Sequence, residues 1–320
     1  MALFEGINLT AKTDRSTGFG TNSSSYGGRF VNKNGVANIE KRGMNILNRI
    51  SWYHTLIEMP MWKFIGIVLA FYVVINLLFA IIYFAIGIEY LDGIAASDSD
   101  WGKFGKAYFF SAQTFTTVGY GHISPKGFLT SALSAAEALI GLLSFAIATG
   151  LFFGRFSKPT AFLKFSHNAV IAPYEGISGL MIRMVPFKNT NFTDAEAKMT
   201  LGMSIEENGE MINKFYTLDL EMQKVSSLNL SWTLVHPINE QSPLYQLSKS
   251  DFKTIHGEII VYVKTFDDMF SSTVAARTSY VFEEIVYGAK FIPMYTRNFD
   301  HSKTILDLDK LNEFVPAQLG

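Results

Sequence analysis

The chain contains no cysteine, so neither a disulfide nor a thiolate metal site is available to it. Charge is also scarce. Asp, Glu, Lys and Arg make up 17% of 320 residues and the formal net charge is −1, which removes any general electrostatic case for nucleic acid as a partner. Six histidines, at 54, 122, 167, 236, 256 and 301, show no metal-ligand spacing, and the sequence has neither a Gly-rich phosphate loop nor a nucleophile motif, so an enzyme is disfavoured. No signal-peptide pattern opens the chain. Residues 1–28, rich in Ser, Gly and Thr without a sustained apolar period, are expected to be disordered.

What the chain has in excess is apolar surface. At 48% hydrophobic it is too apolar for an ordinary soluble protein and too long for one small membrane domain, so a hybrid is expected. Residues 64–88 hold no charge and only one strongly polar side chain, Asn76, and are long enough to cross a hydrocarbon core. Residues 128–153 form a second, small-residue-rich span interrupted by a single acid, Glu137. An intramembrane carboxylate is costly; Glu137 either lines a water-filled pore or sits behind the filter, protonated or hydrogen-bonded. Lys and Arg before the first span (Arg29, Lys33, Lys41, Arg42, Arg49, Lys63) and after the second (Arg155, Lys158, Lys164) outnumber those between (Lys103, Lys106, Lys126). Both termini are therefore expected in the cytoplasm and the protein in the cell (inner) membrane. Neither span is Arg-rich like a voltage sensor, and without internal repeats a transporter is disfavoured.

Between 44 and 58 the apolar positions Ile46, Ile50, Tyr53 and Ile57 recur at helical spacing opposite Asn48, Arg49, His54 and Glu58, which predicts an amphipathic helix ending at Pro60. It either lies in the inner membrane interface or packs as a soluble helix. The acids Glu89, Asp92, Asp98 and Asp100 either concentrate cations at a pore or simply solvate a loop. Residues 102–115 are apolar but too short to cross and fit a re-entrant helix whose C-terminal end, partially negative, favours a cation. Beyond Pro159, Leu228, Leu230, Trp232 and Leu234 alternate with polar residues, and 258–263 and 280–287 are further β-rich runs, so the C-terminal part reads as a β-sandwich.

Between the spans lies Thr117-Val118-Gly119-Tyr120-Gly121, a pentapeptide whose carbonyls, in four facing copies, can replace the hydration shell of K+. The backbone carbonyls of Thr117, Val118, Gly119 and Tyr120 are the expected ligands of the permeant ion, and no other cofactor is expected. Consecutive carbonyls aimed at one axis need backbone of alternating handedness, which glycine adopts freely. A membrane-anchored sensor with a vestigial pore is the alternative; ion flux discriminates.

The phrases Arg29-Phe30-Val31-Asn32-Lys33, 165–171 (FSHNAVI), 236–245 (HPINEQSPLY) and Ala276-Arg277-Thr278-Ser279-Tyr280, in that order around the filter, resemble motifs of inward-rectifier potassium channels. Lacking extracellular cysteines, the chain is more similar to the bacterial KirBac branch, and the resemblance runs from about Arg29 to Phe314. It implies a multi-domain membrane protein: an α-helical pore with outer, re-entrant and inner helices, plus a cytoplasmic all-β immunoglobulin-like sandwich, assembled as a homotetramer. The implied divisions are 1–28, a cytoplasmic segment with interfacial helix over 29–60, the pore over 61–157 and the sandwich over 158–320.

The resemblance further implies that Phe153 forms a hydrophobic gate, a lipid-facing side chain being the alternative, and that Gly141 and Gly150 are bending points of the inner helix. It places Lys63, Arg155, Lys158 and Lys164 among residues that bind anionic lipids such as phosphoinositides; generic positive-inside charge explains them equally. Lys264-Thr265-Phe266-Asp267-Asp268 matches a loop that narrows the cytoplasmic pore, steadied by an Asp268–Arg277 ion pair. Four departures stand out. Gln113 replaces a pore-helix glutamate. His122 replaces an aspartate at the outer mouth; either it is an inert solvated histidine or external acid, by charging it, reduces inward current. Phe145, beside Ser144, occupies the cavity position that is acidic in strong rectifiers, and Lys264 replaces a polyamine-concentrating acid. Both changes imply weak rectification by Mg2+ or polyamine block.

Overall fold

The computed structural model describes residues 8, 11–14, 16–19, 29–40, 42–43, 51–95, 99–207, 210–298 and 302–319. Two compact units result, Arg42–Lys158 and the combination of Met1–Lys41 with Pro159–Gly320.

In the first unit, helix α1 (Trp52–Glu58) stops because Pro60 drives the preceding Met59 into an extended conformation. Residues 44–50 of the expected amphipathic helix lie outside the described residues, as does Asp98 of the acidic loop. Pro60 then caps α2 (Met61–Ile86), 26 residues or about 39 Å at 1.5 Å per residue, more than a hydrocarbon core needs. Helix α3 (Asp100–Phe115) starts on Ser99, whose hydroxyl accepts from Gly102 N–H at 3.2 Å, with Asp100 in its first turn. Its 16 residues cannot span. Helix α4 (Phe128–Phe156) can, and reaches three residues beyond the apolar run. A two-residue antiparallel ladder, β1 (Leu91–Asp92) with β2 (Ser124–Pro125), joins the loop before α3 to the segment after the filter. Phe79, Ala80 and Tyr83 of α2 bury against Ala107 and Phe110 of α3.

The second unit is a sandwich of two five-stranded sheets. One contains β6 (Phe192–Glu207), β7 (Glu210–Leu218), β8 (Lys224–Ser227), β10 (Gly257–Asp267) and β11 (Ser272–Val281), ordered β11-β10-β6-β7 with β8 also on β6. The other contains β3 (Leu163–Phe165), β4 (Ala169–Tyr174), β5 (Ile177–Pro186), β9 (Trp232–Ile238) and β12 (Ile285–Tyr287), ordered β12-β4-β5-β3 with β9 on β5. Alternate residues of each sheet meet in one core: Leu180, Ile182 and Met184 from β5 against Met199 and Leu201 of β6 and Ile259, Val261 and Val263 of β10.

Two strand expectations are corrected. The run 228–234 is not one strand: Leu228 N–H closes onto Phe192 O at 2.8 Å, Leu230 is exposed in a bend, and β9 begins at Trp232. The run 280–287 breaks at a 3-10 turn, Phe282–Glu284, where Glu284 accepts from Val281 N–H at 3.1 Å and the chain passes from one sheet to the other.

Disorder over 1–28 is likewise corrected for the described residues within it. Thr13 bridges Tyr216 on the β7 edge, Asp14 N–H donates to Phe215 O at 2.7 Å, and Ala11 joins the core. Burial opposes charge on Asp14, yet Lys198 Nζ at 2.8 Å with Ser16 and Thr200 hydroxyls together hold its carboxyl well below the usual range. Residues 29–40, expected to group with the interfacial helix, belong instead to the β unit. There Glu258, fully buried, accepts the amide of Val31 at 3.0 Å and that of Phe30, while Arg29 and Lys33 both pair with Glu284. Ser279 Oγ donates to Val31 O, Thr278 Oγ1 donates to Lys33 O at 3.1 Å and Lys33 reaches His167 O, so three phrases far apart in sequence form one latch.

Candidate ion-conduction site

Residues 117–121, expected to form the filter, leave the C-terminal end of α3, where helix carbonyls are partially negative. Thr117, Gly119 and Gly121 have φ of 59°, 54° and 80°, whereas Val118 and Tyr120 do not turn positive. Handedness thus alternates, and Thr117, a β-branched residue, itself sits in the left-handed region that L side chains avoid.

Gln113 sets the direction of the row. Its carbonyl accepts Val118 N–H at 2.9 Å and Gly119 N–H at 3.3 Å, and its Oε1 accepts Tyr120 N–H at 3.2 Å. Because a trans peptide is planar with N–H and C=O opposed, fixing these three amides turns the carbonyls of Thr117, Val118 and Gly119 to the opposite side together. The departure from glutamate therefore leaves a working acceptor in place.

Just after the pentapeptide the His122 side chain is exposed, while its carbonyl lies 2.0 Å from where a Cβ on Gly93 would stand, so only glycine permits this approach. At the inner end, Thr117, Ser144 and Phe145 line one apolar cavity of ≈ 770 Å³ between α2 and α4. Phe145 and Phe153 are each 72% exposed in the single chain, as residues facing a pore, a neighbouring copy or lipid would be. Gly150 has open space where a side chain would go. Gly141 does not: a Cβ there would stand 1.9 Å from the Phe115 carbonyl oxygen. The missing side chain of Gly141 is what lets α4 touch the end of α3.

Glu137 is fully buried within the chain, which removes the pore-lining alternative. Tyr83 Oη donates to its Oε2 at 2.7 Å and Ser111 Oγ is bonded to its Oε1.

Among the cations, Arg155 departs from its expected role. Its guanidinium donates to the carbonyls of Leu56, Ile57 (2.9 Å) and Met59 (2.6 Å) and lies 4.7 Å over the Phe64 ring. It thus caps the partially negative C-terminal end of α1 and positions that helix. Gly154 packs against Tyr53 Oη and Ile57, and Lys158 pairs with Glu58 at 2.9 Å, so α1 is clamped to the end of α4. Lys63 lies over the Trp62 ring at 5.3 Å; Lys164, in the β unit, lies over Phe187 at 5.2 Å.

In the β unit, Lys264, Thr265, Phe266 and Asp267 end β10, with Lys264 exposed and Thr265 and Asp267 buried. Asp267 Oδ1 accepts Met269 N–H at 2.9 Å and shapes the turn. The Asp268–Arg277 ion pair is corrected: Asp268 accepts from Thr193 Oγ1 at 3.3 Å, whereas Arg277 lies over the Tyr262 ring at 5.1 Å. The hairpin register pairs Tyr262 with Arg277, and Asp268 lies six residues beyond Tyr262, so the two positions are separated by ~20 Å along the strand. His236 Nδ1 donates to Asp219 O at 2.6 Å and Ser242 is 2.8 Å from Nε2; burial pushes the imidazole down, against the Asp219 carbonyl.

A helix too short to cross, delivering a directed row of carbonyls between two helices that do cross, is the arrangement of an ion channel. Residues 70–158 match the family model described as "Ion channel", and residues 163–318 match "Inward rectifier potassium channel C-terminal domain". The chain is 34% identical over 292 residues to inward rectifier potassium channel Kirbac3.1 of Paramagnetospirillum magnetotacticum, covering 90% of this chain and 96% of that one. It is 29% identical to G protein-activated inward rectifier potassium channel 2 of Pongo abelii, covering 84% and 68%. To ATP-sensitive inward rectifier potassium channel 12 of Gallus gallus it is 27% identical, covering 83% and 67%. The chain belongs to the inward rectifier potassium channel family, prokaryotic (KirBac-like) branch, a family of ion channels and not of enzymes.

Proposed function

We propose that the chain assembles as a homotetramer in the cell (inner) membrane, with both termini cytoplasmic, and conducts K+ passively through the carbonyls of Thr117, Val118, Gly119 and Tyr120. The observation that carries this reading is the Gln113 bracket, which turns three successive carbonyls to one side. Knock-on between adjacent sites moves the ions, and displacement of Phe153 opens the inner end, with Gly150 free to bend. Anionic headgroups such as phosphoinositides act through Lys63, Lys158 and Lys164, with Arg155 holding α1 in place. The neutral Ser144 and Phe145 and the cationic Lys264 leave rectification by Mg2+ or polyamines weak.

Potassium flux from liposomes containing the purified protein, with sodium and barium controls and with phosphoinositide present or absent, tests the reading. Selective, barium-blocked flux is the expected result; a tetramer that stays silent in every lipid, even with Phe153→Ala, overturns it. If Phe153 closes the resting pore, Phe153→Ala is expected to raise flux about tenfold, equivalent to about 1.4 kcal/mol in the gating equilibrium.

A further inference from the structure

The hydrogen bonds around Glu137 do not balance if its carboxyl is ionised. Three oxygen-to-oxygen contacts run in series: Tyr83 Oη to Glu137 Oε2 at 2.7 Å, Glu137 Oε1 to Ser111 Oγ, and Ser111 Oγ to Asn76 Oδ1 at 3.0 Å. The Asn76 amide is oriented unambiguously, because its Nδ2 donates to the Tyr72 carbonyl at 2.6 Å and a carbonyl can only accept. Its Oδ1 therefore faces Ser111 as an acceptor. Tyr83 and Ser111 supply one hydroxyl proton each, which serves two of the three contacts. With a carboxylate, Ser111 would have one proton for two acceptors, leaving two buried oxygens in bare contact. Asn76, Ser111 and Glu137 are all buried away from bulk solvent, so a bare contact between two acceptors would be costly there.

We infer that Glu137 is carried as the neutral acid, and that its proton completes a one-way chain from Tyr83 through Glu137, Ser111 and Asn76 to the Tyr72 carbonyl that ties the re-entrant helix to both spans. Oε2 is then the carbonyl oxygen and accepts, while Oε1 bears the proton and donates. Tyr83 and the carboxyl itself are the titratable groups in the network, and among the described residues no Lys, Arg or His forms an ion pair with Glu137. Ser111 stands two residues before Gln113 on α3, so the chain fixes the helix that holds the filter. Glu137 is thus a positioning residue. Its importance for conduction rests on the pore reading above, but its protonation does not.

Infrared difference spectra of wild type against Glu137→Gln at pH 7, on the purified protein in liposomes, separate the two. The expected result is a protonated-carboxyl C=O band present in wild type and missing in the variant; ionised-carboxylate bands in its place overturn the inference. Glutamine can donate from Nε2 and accept at Oε1, so Glu137→Gln is expected to keep flux within about twofold, while Glu137→Ala and Ser111→Ala lose it by about tenfold or more through unpaired buried groups. A Glu137→Gln channel as impaired as Glu137→Ala would show that the charge is needed and would also overturn the inference. Silence of wild type itself counts against the pore reading alone, since the spectrum is read independently of flux.

Discussion

Gln113→Ala is expected to cost the channel its discrimination between potassium and sodium while leaving the tetramer assembled. The alanine keeps the backbone carbonyl that accepts Val118 and Gly119 but removes the acceptor of Tyr120 N–H. That amide is what turns the Gly119 carbonyl, so one ring of ligands in the middle of the row loses its orientation. A hydrogen bond of this kind is worth about 0.5–1.5 kcal/mol net, and four copies act on one ion path, giving roughly 2–6 kcal/mol in all. Since about 1.4 kcal/mol is tenfold in relative affinity, the permeability ratio read from bi-ionic reversal potentials is expected to fall by about tenfold or more. Gln113→Glu retains an acceptor at the same place and is expected to keep the ratio. Unchanged selectivity in Gln113→Ala would sink the assignment of Gln113 as the residue that directs the filter.

Gly141→Ala is expected to damage the membrane unit severely. The added methyl would stand 1.9 Å from the Phe115 oxygen and 2.7 Å from its carbonyl carbon, both backbone atoms that no rotamer change can move aside. Helices α3 and α4 must separate, at a cost of about 1–3 kcal/mol per chain, and Phe115 is two residues from Thr117, so the inner end of the filter moves with it. Loss of thermal stability in detergent together with loss of flux is the expected outcome. Gly150→Ala provides the contrast, because the position is open and alanine favours helix over glycine by about 0.5–1 kcal/mol. Its stability is expected to hold or rise while opening slows. Equal tolerance at the two positions would contradict the packing account of Gly141.

These two residues also mark where sequence reasoning stopped. Gln113 was visible as a departure from a family pattern, yet nothing in its neighbours indicated that its amide reaches Tyr120 seven residues on. Gly141 read as a place to bend because a glycine within an apolar helix carries the same letter whether it flexes or permits contact. Arg155, Lys158 and Lys164 read alike as membrane-proximal cations, and only the geometry distinguishes the one that caps α1 from the rest. Gly154, packed against Tyr53 and Ile57, carries no sign of that contact in the sequence.

By itself the sequence determined two spanning segments, a half-length helix between them, the pentapeptide 117–121 and an alternating C-terminal part. Each of these is a local pattern: length of an apolar run, period of two, or a contiguous string. Tertiary structure alone decided that Glu137 is shut away between Tyr83 and Ser111, that Arg29, Glu258 and Glu284 latch the N-terminal segment to the sandwich, and that 280–287 turns from one sheet to the other. It alone also set Arg277 over Tyr262 and away from Asp268. The reason is common to all of them: α2 and α4 are apolar nearly all round, so no periodicity reveals which face meets which, and a buried polar group's partner is chosen by proximity in space across tens to hundreds of residues.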